Sequence, residues 1–242
     1  MAAAAPSDVI LIIADISGYT KFMLNNAESL AHAQTVITSL MEAVVAEAKL
    51  PFVIAKLEGD AVFMYALRQR GKAWERDRQA IRQRLSRFYG LFQRRLNLLR
   101  ATNTCGCGAC AALDQLSIKF VVHAGQALLY KFGRFDELAG PDVILVHRLL
   151  KNSVVERTYL LVTAAAFEQL GMAVDADLYA PQVEHYDDVG DVAVLVDRQI
   201  AQRQSLAAPE TRAGAWAKLM GMALRMWAMI RQRGRSFGRL PS

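Results

Sequence analysis

Residues 9–14 read VILIIA, six apolar side chains in a row, and the next six residues read DISGYT. A continuous apolar run of this length is a buried strand. Its end is a constraint in itself. A buried aspartate is costly unless a partner, a hydrogen bond or a metal meets its charge, so Asp15 needs a counterpart elsewhere in the chain. Ser17 and Gly18 break the strand, and a helix is expected to open at Tyr19 or Thr20.

Further elements follow in a readable order. Leu30, Val36, Leu40, Val44 and Val45 keep a helical period across residues 27–49, and Pro51 stops that helix. Residues 52–67 (FVIAKLEGDAVFMYAL) are two β-rich halves around Glu58-Gly59-Asp60, a tight-turn signal. Residues 71–100 form a long basic helix with Ile81, Leu85, Phe88, Phe92, Leu96 and Leu99 on one face. Residues 116–132 are expected as a second hairpin turning at Ala124-Gly125, with GRFDELAG after it as a loop. A helix with Pro141 at its start covers residues 141–152, a strand residues 158–163, and a short helix residues 164–170. A last hairpin has Asp191 at its turn. Helices alternating with hairpins predict an α+β sandwich of the ferredoxin-like kind, with a βαββαβ core.

Two acids now stand at strand ends, Asp15 and Asp60. In a ferredoxin-like sheet the tip of the residue 52–67 hairpin can lie beside the end of the first strand. Two carboxylates converging there suit a hard cation such as Mg²⁺ or Mn²⁺. The adjacent SGYT opens a helix whose free N–H groups can meet phosphate. Cation and phosphate together point to phosphoryl chemistry.

Four segments carry a family resemblance. DISGYTKFM (residues 15–23), KLEGDAVFM (56–64), VVHAGQALL (121–129) and GPDVILVHRL (140–149) resemble, in order and spacing, the motifs of the class III adenylyl and guanylyl cyclase catalytic domain. The chain looks like a diverged bacterial branch of that family over residues 8–198. The resemblance implies a two-metal site for Mg²⁺ or Mn²⁺ held by Asp15, Asp60 and the Ile16 carbonyl. It implies purine contacts from Lys56 and Glu137, with Asp136 as the alternative to Glu137. It also implies a transition-state arginine at Arg148, and a triphosphate facing Gly18, Tyr19 and Thr20. The implied reaction turns ATP into 3′,5′-cyclic AMP and pyrophosphate in a head-to-tail homodimer, with the metal residues of one copy facing Lys56 and Arg148 of the other. One position departs from the pattern. The family places a ribose-orienting asparagine four residues before the arginine, and here that residue is Ile144. Asn152 is the substitute donor at hand. The alternative expectation is therefore a catalytically degenerate cyclase fold that binds nucleotide and signals.

The remaining signals lie outside those motifs. Cys105, Cys107 and Cys110 make a Cys-x-Cys-x-x-Cys cluster, odd in number and unlike a secreted disulfide framework. Reduced thiols or a zinc site are expected, with His123, His147 or a partner residue as fourth ligand. Residues 199–212 read as a linker and residues 213–235 as an amphipathic helix, with tails at 1–7 and 236–242. That helix sets Trp216, Leu219, Met220, Ala223, Met226, Trp227 and Ile230 on one side beside several arginines. It suits packing on its own domain or mate, an anionic membrane surface, or a protein groove. The net charge of +6 favours acidic partners, but the basic segments lack the aromatics and motifs of a nucleic-acid module. The start has neither a basic n-region nor an apolar h-region, and no apolar run approaches the ~18 residues of a membrane span. The expected location is cytoplasmic, peripheral on the inner membrane face if the last helix binds lipid.

Overall fold

The computed structural model describes residues 5–103, 105–173, 175 and 177–201. The linker from residue 202 onward, the amphipathic helix at 213–235, the tail at 236–242 and residues 1–4 lie outside the described residues.

The expected α+β architecture is present. β1 (Ser7–Ser17) is followed by α1 (Tyr19–Asn25) and α2 (Leu30–Val45), then by the hairpin β2 (Val53–Glu58) and β3 (Ala61–Leu67). The long α3 (Lys72–Ala101) and the short α4 (Gly108–Ala111) lead to β4 (Ser117–Phe132) and β5 (Phe135–Ala139). The chain continues through α5 (Pro141–Arg148), β6 (Leu160–Thr163), α6 (Ala164–Gln169), β7 (Ala180–Tyr186) and β8 (Gly190–Asp197). One sheet runs β2-β3-β1-β4-β6-β8-β7, with β5 paired to the far half of β4. β4 and β6 are parallel and the other neighbours antiparallel.

The apolar run is explained by burial on both faces of β1. Ile10, Ile12, Ala14 and Ile16 pack into one cluster with Val36, Ile37 and Leu40 of α2 and Phe88 and Phe92 of α3. Val9, Leu11 and Ile13 face the opposite way, into a second cluster with Phe63, Tyr65, Val121, Leu145, Val146 and Leu149 under α5. No helix of the described residues is long and apolar enough to cross a membrane.

Three sequence expectations are corrected. β4 does not turn at Ala124-Gly125; it runs unbroken to Phe132, and the chain reverses at Gly133, where φ is 61°. Gly125 serves a close approach instead, because a Cβ there would stand 2.1 Å from the Asp142 carboxyl carbon. GRFDELAG is accordingly no loop: its Phe135–Ala139 is β5, the return strand of a protruding arm. α5 ends at Arg148 and does not reach residue 152. Asn152 Nδ2 donates to the Leu149 carbonyl at 2.7 Å, and its Oδ1 accepts from the Val154 N–H at 3.0 Å, which closes a turn.

Candidate functional site

Asp15 is the last β1 residue paired with β3, opposite Ala61, and it also stands opposite Lys119 of β4. The β2–β3 turn is tight because Gly59 takes a left-handed φ of 67°. That turn delivers Asp60 to the end of β1, where the Ile16 N–H donates to the Asp60 carbonyl at 3.0 Å. The chain thus brings Asp15, Ile16 and Asp60 together from two segments.

The local charge balance is uneven. Burial, and next the neighbouring Asp15, push the Asp60 carboxyl up to about 6, against opposing effects from its own backbone hydrogen bond and from Lys119. Lys119 Nζ lies 3.1 Å from Asp15 Oδ2, with both side chains about four-fifths buried (20% and 17% exposed), and it also donates to the Leu150 carbonyl at 3.2 Å. Lys119 is therefore the counterpart that the end of β1 demanded. Sequence reasoning missed it. The available signal was a lysine inside the apolar stretch at residues 118–122 (IKFVV).

The turn after β1 is fixed from below. Gly18 has φ 89°, and a Cβ there would meet the Gln115 carbonyl oxygen at 2.3 Å and Arg157 Nη2 at 2.6 Å. Gly18, Lys21, Gln115 and Arg157 line an open cavity of about 310 Å³. Two cations thus border the turn from which Tyr19 and Thr20 enter α1, and Tyr19 Oη lies near Gly59 at the hairpin tip.

The other expected site residues are engaged with partners other than this pair. Lys56 is exposed on β2, beside a register shift between Ile54 and Lys56. Asp136 pairs with Lys131 across the β4–β5 arm at 2.9 Å. Glu137, half-buried, stands opposite Tyr130. The arm leans back toward β3, for Asp136 helps raise the Tyr65 hydroxyl, after the larger effect of burial. Arg148 is 51% exposed and bonded to Asp188 at 2.8 Å, in the β7–β8 turn. Among the described residues no ion pair joins Arg148 to Asp15 or Asp60. Val143, Ile144, His147, Arg148 and Lys151 line a second open groove of about 460 Å³ on the outer side of α5. Ile144 is 60% exposed there. Asn152, the substitute ribose donor suggested by sequence, is committed to its turn and to Tyr159 Oη at 2.7 Å.

His123 is a satisfied core histidine, held by Thr163 Oγ1 and Asp142 Oδ1 at 3.0 Å each. His147 Nε2 lies 3.6 Å from Glu58 Oε2, its Nδ1 donates to the Val143 carbonyl at 2.8 Å, and its ring meets the Phe63 ring edge-on. Neither joins the cysteines. The fourth residue at the thiol cluster is His32 of α2, which carried no signal in the sequence. Its Nδ1 lies 3.2 Å from Cys107 Sγ, and its Nε2 3.6 Å from Cys110 Sγ. Burial raises the Cys107 thiol, but hydrogen bonds from its neighbours, the Cys110 backbone foremost, outweigh it and hold the thiol below its ordinary value. Burial and Cys107 push Cys110 up to about 12.

Residues 37–159 match the family described as "Protein of unknown function (DUF2652)". A relative from Mycobacterium tuberculosis (strain ATCC 25618 / H37Rv), "Uncharacterized protein Rv2561/Rv2562", is 37% identical over 158 residues, covering 65% of this chain and 70% of its own. Among solved structures, the guanylyl cyclase Cya2 superposes with a TM-score of 0.59 at 11% identity, over 81% of this chain and 93% of that one. The adenylyl cyclase CyaB from P. aeruginosa gives 0.56 at 14%, over 80% and 95%. The fold is that of the cyclase catalytic domain.

Proposed function

The chain belongs to the DUF2652 family, and from that premise we propose that it is a nucleotidyl cyclase that converts ATP to 3′,5′-cyclic AMP and pyrophosphate. The observation that supports this most is the meeting of Asp15, Ile16 and Asp60 at one strand end of a cyclase fold, where the Ile16 N–H donates to the Asp60 carbonyl. Two carboxylates and a main-chain carbonyl are oxygen donors, the set that Mg²⁺ and Mn²⁺ prefer, and a carboxyl raised by burial and then by a neighbouring carboxylate is one that a dication would ionise. Asp15, Asp60 and the Ile16 carbonyl would hold the metal, which when bound supplies acidification of the ribose 3′-hydroxyl and neutralisation of the triphosphate.

The chain's own residues do the rest of the work in this proposal. Gly18, Tyr19 and Thr20 border the triphosphate, with Lys21 and Arg157 as flanking cations. Lys56 and Glu137, or Asp136, read the purine. A lysine donates to N1 of adenine, where guanine carries an N–H, and an acid accepts from the adenine amino group, so the pair favours ATP over GTP. The 3′-oxygen gives up its proton to water and forms its bond to the α-phosphorus as the bond to the pyrophosphate oxygen breaks. Arg148 of a second copy, released from Asp188, offsets the charge that develops on the α-phosphate. The head-to-tail pair that the family resemblance implies is what assigns Arg148 to the second copy in this reading.

The test is to incubate the pure full chain with ATP or GTP and Mn²⁺ and to measure cyclic nucleotide. Product that is lost in Asp60→Ala supports the reading; no product from either nucleotide sinks it. A second reading has its own support. Ile144 offers a ribose no hydrogen bond, and Lys119 already occupies Asp15. Nucleotide binding without turnover in the same assay supports a signalling domain. A peripheral membrane role through residues 213–235 is a separate proposal. Equal flotation with anionic liposomes by the full chain and by a chain ending at Leu206 removes it.

A further inference from the structure

We infer that His32, Cys105, Cys107 and Cys110 bind a single zinc ion that clamps the α3–β4 connection onto the α1–α2 segment. Each residue offers one ligand atom, and the four atoms all lie within 4.8 Å of one another. Tetrahedral zinc, with Zn–S about 2.3 Å and Zn–N about 2.0–2.1 Å, sets its ligand atoms roughly 3.4–3.8 Å apart. His32 Nδ1 lies 3.2 Å from Cys107 Sγ and 3.9 Å from Cys110 Sγ, values on either side of that spacing. Three sulfurs and one imidazole are soft and borderline donors, which select zinc over the hard cations suited to Asp15 and Asp60. The four donors fill a tetrahedron and leave no position for a substrate, so the site is structural.

The donors come from places that nothing else in the sequence joins. His32 lies in the first turn and a half of α2, and the cysteines lie some 75 residues later by sequence separation (75 for Cys107). One further contact runs alongside. A Cβ at Gly108 would meet Asn26 Oδ1, between α1 and α2, at 2.7 Å, so the connection approaches that junction closely. Beyond the cysteines, bonds from Ala111 N–H to the Cys107 carbonyl, Ala112 to Gly108, Gln115 to Ala112 and Leu116 to Leu113 carry an unbroken set of turns to Gln115. The Gln115 carbonyl is the atom that bars a side chain at Gly18. Zinc therefore fixes the floor of the Gly18 cavity from one end while leaving the carboxylate pair untouched.

The experiment uses the full chain, purified under reducing conditions from zinc-supplied medium. Zinc and iron are measured by mass spectrometry, and Co²⁺ is titrated into the demetallated protein. The expected result is near-stoichiometric zinc, and cobalt absorption of the intense visible kind given by tetrahedral thiolate sites. His32→Ala should weaken cobalt and zinc binding by at least roughly tenfold, the smallest loss typical of disturbing such a site. His32→Cys, which restores a fourth soft ligand, should keep it. Demetallation should lower the melting temperature of the wild type and leave that of Cys107→Ser/Cys110→Ser unmoved. Less than about a tenth of an equivalent of metal together with no tetrahedral cobalt spectrum overturns the proposal. So does a Cys107–Cys110 disulfide in the protein as isolated, or a folded His32→Ala that binds as tightly as wild type. If His32→Ala does not fold, the wild-type spectrum and His32→Cys decide.

Discussion

The acid that ends β1 is balanced by a lysine, and the balance has measurable consequences. Lys119 stands 3.1 Å from Asp15, while Asp60 beside them is pushed up to about 6 by burial and by Asp15. A carboxyl raised above its ordinary 3.8 holds its proton longer in the folded chain than in the unfolded one. Its contribution to stability is therefore present at low pH and is lost as pH rises from 3.8 through about 6. Asp60→Asn should then melt higher than wild type at pH 7.5 without divalent cations. A gain of roughly 2–4 °C is expected, what ~1 kcal/mol makes in a domain of this size after solvent screening. The gain should vanish near pH 4, and Mn²⁺ should raise the melting temperature of wild type and leave Asp60→Asn where it was. A variant that melts lower at pH 7.5 would show the carboxyl to be stabilising and its raised proton affinity to be wrong. Lys119→Met tests the same balance from the other side. Removing an ammonium next to a cation site should tighten Mn²⁺ by roughly tenfold, a modest part of the attraction between close charges near a surface. Weaker binding would mean that the lysine supports the site and does not compete with the cation.

The turn after β1 and the helix over β4 each depend on one glycine. Gly18→Ala combines a left-handed φ with a clash against a backbone carbonyl that cannot rotate away. It should cost at least about 1–3 kcal/mol in urea unfolding, and a value near zero would mean that the turn re-forms elsewhere. At Gly125 a methyl group would collide with Asp142, whose carboxylate ties the start of α5 to His123 and to the Gln126 N–H. The elements that could be read from sequence are those with local causes. The run at 9–14 forms β1 because it is covered on both faces, and Glu58-Gly59-Asp60 turns because Gly59 takes positive φ. Gly125 misled because a glycine pressed by a neighbouring helix and a glycine in a turn look alike along the chain; only the helix packed against it tells them apart. Lys119 and His32 were missed for the same kind of reason. The first acquires its role from register against Asp15, and the second from a loop that returns to α2 only in the folded chain.

At the scale of the whole molecule, the groups of the proposed reaction keep different partners within one chain. The carboxylate pair sits at the end of β1, whereas Arg148, exposed on the last turn of α5, is bonded to Asp188 beside a groove that carries Ile144. An exposed isoleucine amid His147, Arg148 and Lys151 is what a contact between copies would cover. If two copies pair head to tail, each site takes its carboxylates from one and its arginine from the other, and a symmetric pair holds two such sites. Asp15→Ala and Arg148→Ala should each lose activity by about 10²-fold or more. An equimolar mixture, allowed to exchange subunits, then behaves differently from either alone. About half of the dimers are mixed, and each mixed dimer holds one intact site and one doubly damaged site, so about a quarter of wild-type activity should return. Mixing Asp15→Ala with Asp60→Ala provides the control, because both lesions fall on the same half of every site and no intact site can form. Recovery in the first mixture and none in the control supports the shared site. Equal silence in both, with subunit exchange verified by a tagged copy, would place the whole reaction within one chain, with Arg148 serving the carboxylates of its own copy.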